Sequence, residues 1–300
     1  MKLVNFGSLN VDRVYRVEQF VRPGETVLAE DCRFFAGGKG LNQSVAAARA
    51  GARVLHAGMV GEDGGLLLET LAESGADVSL IRRAAGPSGH AVIQLDRQGQ
   101  NCILVHGGAN RCLTEAYVDE VLALCGPGDM VLVQNEVNLV PYIIRRAADR
   151  GLHVAFNPSP VSTAMADYPL EAVRWLILNE LEGAQLAGLE RAEREQGPAI
   201  LEGLRRRYPA AGLVLTLGAE GVLCWDGGTY LEREAYTVPV ADSTGAGDTF
   251  CGCFLACLQL GRPLEACLHA ATAAAAIAVS RPGASASIPT MDEVTAFLRA

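Results

Sequence analysis

Six short apolar runs, each leading toward a helical pattern, restrict this chain to a narrow set of folds. "KLVNFG" (2–7), "RVLHAGMVG" (53–61), "DMVLVQ" (129–134), "LHVAFN" (152–157), "RWLILN" (174–179) and "GLVLTLG" (212–218) are almost continuously apolar, as expected of parallel strands buried on both faces. A helix candidate follows each. Those in "GLNQSVAAARAG", "GGLLLETLAESG" and "LVPYIIRRAADRG" stop at Gly51, Gly75 and Gly151, where a left-handed residue ends a helix well. Strand, helix, strand at this spacing predicts an α/β fold, a doubly wound and mostly parallel sheet flanked by helices. We expect one domain over residues 1–300, without repeats or a linker. The charge-rich stretch 189–200 reads as a solvated loop.

Two stretches break the rhythm. Residues 12–38 alternate apolar and polar side chains around Arg22-Pro23-Gly24, and residues 90–108 form a hairpin pattern around Arg97-Gln98-Gly99-Gln100. They predict a small antiparallel β lid, formed by inserted strands at about 12–36 and 90–107, with one face free to cover something. Val14, Val17, Phe20, Val27, Ile93, Leu95, Ile103 and Val105 are more apolar residues than so thin a sheet can cover by itself. A homodimer formed lid to lid is therefore expected.

The net charge is −9, and no basic cluster is longer than Arg205-Arg206-Arg207, which argues against a nucleic-acid partner. Asp12 and Arg13 come too early for a signal peptide, and the longest uncharged apolar stretch, 270–280, is too short to span a bilayer. A cytoplasmic protein with no membrane contact is expected. Of nine cysteines without a C-x-x-C pair, four of them (Cys251, Cys253, Cys257 and Cys267) in alanine-rich helical sequence, most read as reduced, buried thiols. Cys253 and Cys257 share a helix face, but only His269 could join them, so a metal site there is disfavoured.

Three constellations carry chemistry. "ADSTGAGDTF" sets Thr244, Gly245, Ala246 and Gly247 just before a helix, where free N–H groups and the helix dipole suit a phosphate or an oxyanion. Asp248, next to that anion site, could accept a proton from a hydroxyl attacking phosphorus, or serve only as a helix-favouring first-turn acid. "FFAGGKGLNQ" (34–43) opens another helix, but Gly40 follows Lys39 where a Walker A loop has Ser or Thr. Its glycines let a small ligand approach while Lys39 and Asn42 offer donors. No G-x-G-x-x-G follows a strand, which disfavours a nicotinamide enzyme. "GSLNVD" places Asn10 and Asp12 on one side of an extended chain, a pair able to grip vicinal hydroxyls.

"GSLNVD", "GGKGLNQ", "QNEV", "LNELE", "TLGAEGV" and "DSTGAGDTF", in this order, together with the tail "AAAAIAVSRPGASASIP" (273–289), resemble the ribokinase (PfkB-type) family of carbohydrate kinases over essentially the whole chain. Leu41 departs from the alanine usual in the ribose-specific members. The resemblance implies a ribokinase-like fold with Asp248 as catalytic base and Gly245, Ala246 and Gly247 as the anion hole. It assigns Asn10, Asp12, Gly38, Lys39, Asn42 and Glu136 to the sugar; Glu136 would otherwise read as an exposed loop acid. Asn179 and Glu182 match an N-x-x-E motif that organises hydrated Mg²⁺ at the ATP phosphates, and would equally suit a helix cap. Thr216, Gly218, Gly221 and Thr272 match nucleotide positions, Thr272 standing where some members carry histidine. The two glycines would otherwise be a strand-turn-strand connection.

Asp242 and Ser287, with Thr244, Ala278, Arg281 and Gly283, match the positions that hold an activating monovalent cation. One carboxylate among carbonyls suits K⁺ better than a divalent ion. The implied activity is transfer of the γ-phosphoryl group of ATP to a primary hydroxyl of a free sugar, with ribose expected. Another furanose-like sugar, a deoxysugar or a nucleoside is the alternative within the fold, and a sugar-sensing protein without catalysis the alternative outside it.

Overall fold

The computed structural model describes residues 1–189 and 196–300. A nine-stranded sheet has the order β13-β12-β11-β10-β9-β8-β1-β4-β5. Its parallel strands are β1 (Leu3–Phe6), β4 (Val54–Val60), β5 (Asp77–Arg83), β8 (Met130–Gln134), β9 (His153–Asn157), β10 (Trp175–Asn179) and β11 (Gly212–Thr216). β12 (Val222–Asp226) and β13 (Thr229–Arg233) complete it as antiparallel edge strands. All six apolar runs became strands of this sheet, with apolar side chains buried against a helical layer on either face. On β1, Leu3 joins one core cluster while Val4 and Phe6 join the other.

Helix α1 (Lys39–Arg49), α2 (Gly65–Glu73) and α4 (Val140–Asp149) end near the glycines expected to stop them. Gly51, Gly75 and Gly151 all have positive φ. The remaining helices are α3 (Glu115–Ala123), α5 (Glu180–Ala187), α6 (Gly197–Arg207), α7 (Ala246–Gln259), α8 (Leu264–Val279) and α9 (Met291–Phe297). Two expectations need correction. β1, β9 and β11 are not followed directly by α-helices: β1 passes into β2 (Asn10–Arg16) of the second sheet, β9 reaches β10 through two short 3-10 turns at Thr163–Asp167 and Leu170–Ala172, and β11 turns back into β12. Of the expected loop 189–200, residues 190–195 lie outside the described residues, and 197–200 already belong to α6, opened by Pro198 in its first turn. Edge strand β5 was not apparent in the sequence, because its half-exposed residues lack a continuous apolar run.

The second sheet has the order β3-β2-β6-β7, with β3 at Asp31–Gly37, β6 at Gly89–Leu95 and β7 at Asn101–His106. Its outer pairings, β2 with β3 and β6 with β7, are antiparallel as expected, but the central β2–β6 pairing is parallel. The turn after β6 closes through Asp96 N–H donating to Gln100 O at 3.0 Å. Register places Phe35, Asp12, Ala91 and Val105 in one cross-strand row, so Asp12 shares its face with apolar neighbours. Ile103, Leu104, Val105 and Phe34 are exposed.

Chain order runs outward from β1 to β4 and β5 on one side, and from β8 to β13 on the other. The switch point between β1 and β8 opens a crevice at the carboxyl ends of the strands. Among the described residues no helix is long and apolar enough to cross a membrane.

Candidate active site

Both edges of the crevice carry polar residues on loops that leave adjacent strands. Ser8 follows β1 and Glu136 follows β8, and the Ser8 hydroxyl donates to Glu136 Oε2 across the switch point. The same oxygen accepts from the Lys39 N–H at 3.2 Å. Glu136 is therefore not the exposed loop acid of the bland alternative. Burial raises its pKa, Ser8 and Lys39 partly oppose this, and nearby Asp248 adds to it.

β3 runs straight into α1 through Gly38, whose φ of 95° suits glycine and places the start of the helix beside Ser8 and Asn10. Asn10 Oδ1 accepts from Asn110 Nδ2 at 2.8 Å. A Cβ on Gly37 would lie 2.0 Å from Asp12 Oδ2, so the carboxylate rests directly on that glycine. Burial, then the charge of Glu136, raises the Asp12 pKa to about 7. Lys39 meets the opposite balance. Burial alone would lower its pKa, but Asp248, Glu136 and Glu182 outweigh it and the net shift is upward.

α7 supplies the other wall. Gly245, at φ 76°, caps the helix in a left-handed conformation, and its carbonyl accepts from Thr249 N–H at 2.8 Å. Contrary to the expected start, Ala246 and Gly247 lie within the first turn rather than before it. First-turn N–H groups have no intrahelical acceptor and face the crevice end of the helix. The Ala246 N–H bonds the Ser243 carbonyl at 3.3 Å, which makes it the most committed donor of the anticipated anion hole. Asp248 is buried, its Oδ2 accepting from Asn42 Nδ2 at 3.0 Å and its Oδ1 from Gln43 Nε2 at 2.9 Å.

Beside Asp248 opens a cavity of about 230 Å³. Lys39, Asn179, Glu182, Thr216, Gly245, Gly247 and Asp248 line it, together with Asn157, Ser159 and Ser243, which the sequence did not single out. Asn179 and Glu182 form a complete capping box at the start of α5, with bonds of 2.9 and 3.0 Å. Glu182 also faces the cavity, so cap and ligand contact are compatible. Two residues of the cavity wall reach the expected sugar positions, Lys39 through its N–H to Glu136 and Asp248 through its bond from Asn42.

Three of the expected nucleotide positions are not part of the cavity wall. Gly218 and Gly221 form the β11–β12 connection, the strand-turn-strand alternative. A Cβ on Gly221 would lie 2.0 Å from the Arg233 carbonyl oxygen, so packing against β13 accounts for that glycine without a ligand. Thr272 is buried in α8 and its hydroxyl donates to Leu268 O, while His269 stacks on Tyr236 with ring centroids 6.1 Å apart.

The residues that match the cation positions lie around the loop before α7. Asp242 accepts from Thr244 N–H at 2.9 Å and from Gly283 N–H at 3.0 Å, tying that loop to the segment after α8. Buried Ser287 donates to Ala284 O, and Ala278 O already accepts from Arg281 N–H. One carboxylate, one hydroxyl and carbonyls fit a weakly bound monovalent cation. Among the described residues no group of three or more His, Cys, Asp or Glu could hold a metal ion, and Cys251, Cys253, Cys257 and Cys267 are buried free thiols.

A glycine-lined helix start carrying a buried carboxylate, facing a polar cluster across the switch point of an α/β sheet, is the arrangement of a sugar kinase. The chain belongs to the pfkB family of carbohydrate kinases, whose model matches residues 1–291. It is 34% identical to the ribokinase of Haemophilus influenzae over 99% of this chain and 98% of that one. It is 27% identical to a deoxyribokinase of Salmonella typhi, covering 99% of each. Among solved structures, Arabidopsis thaliana ribokinase complexed with ribose and ATP superposes with a TM-score of 0.88 at 29% identity, covering 100% of this chain and 99% of that one.

Proposed function

We propose that this protein transfers the γ-phosphoryl group of ATP to the 5-hydroxyl of D-ribose. The observation that carries the reading is the bond from Asn42 to Asp248, which brings the sugar-side helix onto the carboxylate at the anion-binding start of α7. Asn10, Asp12, Lys39, Asn42 and Glu136 hold the sugar hydroxyls. Among the described residues Asn42 Oδ1 is buried without a partner, and a sugar hydroxyl would supply the missing donor. Asp248 takes the proton of the attacking hydroxyl. The N–H groups at 245–247 receive the charge that develops on the phosphoryl oxygens, and the small sheet excludes water.

The oxygen-only donors fit the two metals the family pattern implies. Mg²⁺ would be held through water by Glu182 and Asn179, K⁺ by Asp242, Ser287 and the carbonyls of Thr244, Ala278, Arg281 and Gly283. Bound there, these ions would neutralise phosphate charge and stiffen the loop before α7. Thr216 and the 218–221 turn border the nucleotide, with Thr272 beyond. We further propose that residues 1–300 act as one domain, that the lids of two copies meet in a homodimer, and that the protein is cytoplasmic, where nine unpaired thiols stay reduced.

A panel measuring ATP consumption with ribose, deoxyribose, fructose and nucleosides tests the reading. We expect ribose to have the highest kcat/KM, because buried polar groups are left unpaired by a substrate that lacks a hydroxyl. The full-length likeness to a deoxyribokinase favours a second reading, deoxyribose, which would stand if deoxyribose exceeded ribose. A nucleoside outrunning both would remove the free-sugar assignment. ATP-independent sugar binding without turnover would identify a sensor instead.

A further inference from the structure

Gln43 lies in α1 beside the assigned residues, and none of those assignments uses it. Its Nε2 donates to Asp248 Oδ1 at 2.9 Å and to Asn157 Oδ1 at 3.1 Å, and its Oε1 accepts from Gln134 Nε2 at 2.8 Å. Gln134 Nε2 also donates to Asn5 Oδ1 at 2.9 Å. Asn5 Nδ2 donates to Ser44 Oγ at 2.8 Å, and that hydroxyl lies 2.8 Å from His56 Nδ1. His56 Nε2 faces the Gly7 carbonyl at 3.1 Å.

The polarity of this chain follows from its inner end. A carbonyl only accepts, so His56 Nε2 carries the proton. Burial lowers the His56 pKa to about 4, so the ring is neutral and Nδ1 accepts from the Ser44 hydroxyl. Ser44 in turn accepts from Asn5, the Asn5 oxygen accepts from Gln134, and Gln43 is left presenting its NH₂ to the base. Asn5, Gln43, Ser44, His56 and Gln134 are all 0% exposed, so bulk water cannot replace a link. Flipping the Gln43 amide would set its oxygen against the Asp248 carboxylate and its NH₂ against that of Gln134, two repulsive contacts in a buried site. Asn157 Nδ2, bonded to Ile177 O at 2.8 Å, fixes the other arm.

We propose that Gln43 is a positioning residue for phosphoryl transfer, holding the Asp248 carboxylate in the rotamer that meets the sugar hydroxyl, and that the buried chain from His56 through Asn5 and Gln134 dictates the orientation of Gln43. The inference rests on Asp248 being the base.

Steady-state kinetics of the wild type, Gln43→Leu, Gln134→Met and the double variant test it. If the wild type turns over no sugar, the proposed function fails and this inference with it. With wild-type turnover established, Gln43→Leu should lower kcat about 30-fold and leave KM for ribose and ATP within about two-fold. Gln134→Met should lower kcat about five-fold, and the double variant should be no worse than Gln43→Leu, because Gln134 acts only through Gln43. A Gln43→Leu kcat within about two-fold of wild type, or a double variant whose loss is the product of the single losses, overturns the proposal. Should Gln43→Leu not fold, isosteric Gln43→Glu carries the test. Its carboxyl cannot donate to both Asp248 and Asn157, so kcat should fall at least about ten-fold at unchanged KM, and retention of more than about half of wild-type kcat overturns the proposal.

Discussion

Asn42 Nδ2 donates to Asp248 Oδ2 at 3.0 Å across 206 residues of sequence, joining the start of α1 to the start of α7. With Gln43 on the other oxygen, both edges of the carboxylate are held by neutral donors. Two such donors would hold the proposed base in place.

Replacement of that base is the most direct test. Asp248→Asn should leave ATP binding nearly intact and lower kcat by about 10³ or more, roughly 4 kcal/mol of barrier, since an amide cannot take the proton. Rapid-quench and steady-state assays give kcat, and calorimetry gives ATP affinity. Retention of more than about a tenth of wild-type kcat would show that Asp248 is not the base.

Asp242 should act through the cation instead. Its two carboxylate oxygens tie Thr244 to Gly283, so Asp242→Ala should abolish stimulation by K⁺ and cost less in K⁺-free buffer, where the wild type also lacks the ion. Activity in KCl against a large organic cation, for wild type and variant, gives the comparison. A wild type indifferent to K⁺ removes this role.

Asp12 makes stability depend on pH. Its folded pKa of about 7 exceeds the unfolded value of 3.8, so the native state holds the proton more tightly. The associated stability is complete below about pH 4 and is lost as pH rises to about 7, by a few kcal/mol at most. Asp12→Asn should therefore gain thermal stability relative to wild type as pH rises from 5 to 7.5 (roughly the titration window), measured by melting curves without sugar. Parallel curves for the two proteins would contradict this.

Exposed Ile103 and Val105 share a face of the small sheet with Asp12 and Phe35. If two lids pack there, light scattering at micromolar concentration should give twice the chain mass, and Ile103→Glu should return a monomer. A wild-type monomer would exclude the lid-to-lid dimer.

Much of this molecule is legible in local sequence, because local rules govern it. The apolar runs of β1, β4 and β8 to β11 declare strands buried on both faces, and Gly51, Gly75 and Gly151 mark helix ends through backbone sterics alone. The carboxylate of Asp248 beside a glycine-rich helix start is likewise a short-range pattern. What sequence could not supply is pairing across distance. β5 is half exposed and carries no run to betray it, and the parallel β2–β6 pairing depends on how two separated segments meet. Asp12 is an ordinary acid until the fold seats it on Gly37 beside Glu136, where desolvation raises its pKa. Gly221 matched a ligand motif, yet the approach of the Arg233 carbonyl already requires a glycine there. Gln43, Ser44, Gln134, Asn5 and His56 look like polar residues scattered on a helix and three strands. Only tertiary packing removes water from all of them, and only without water must each donor find an acceptor, which turns five side chains into one oriented line ending at Asp248.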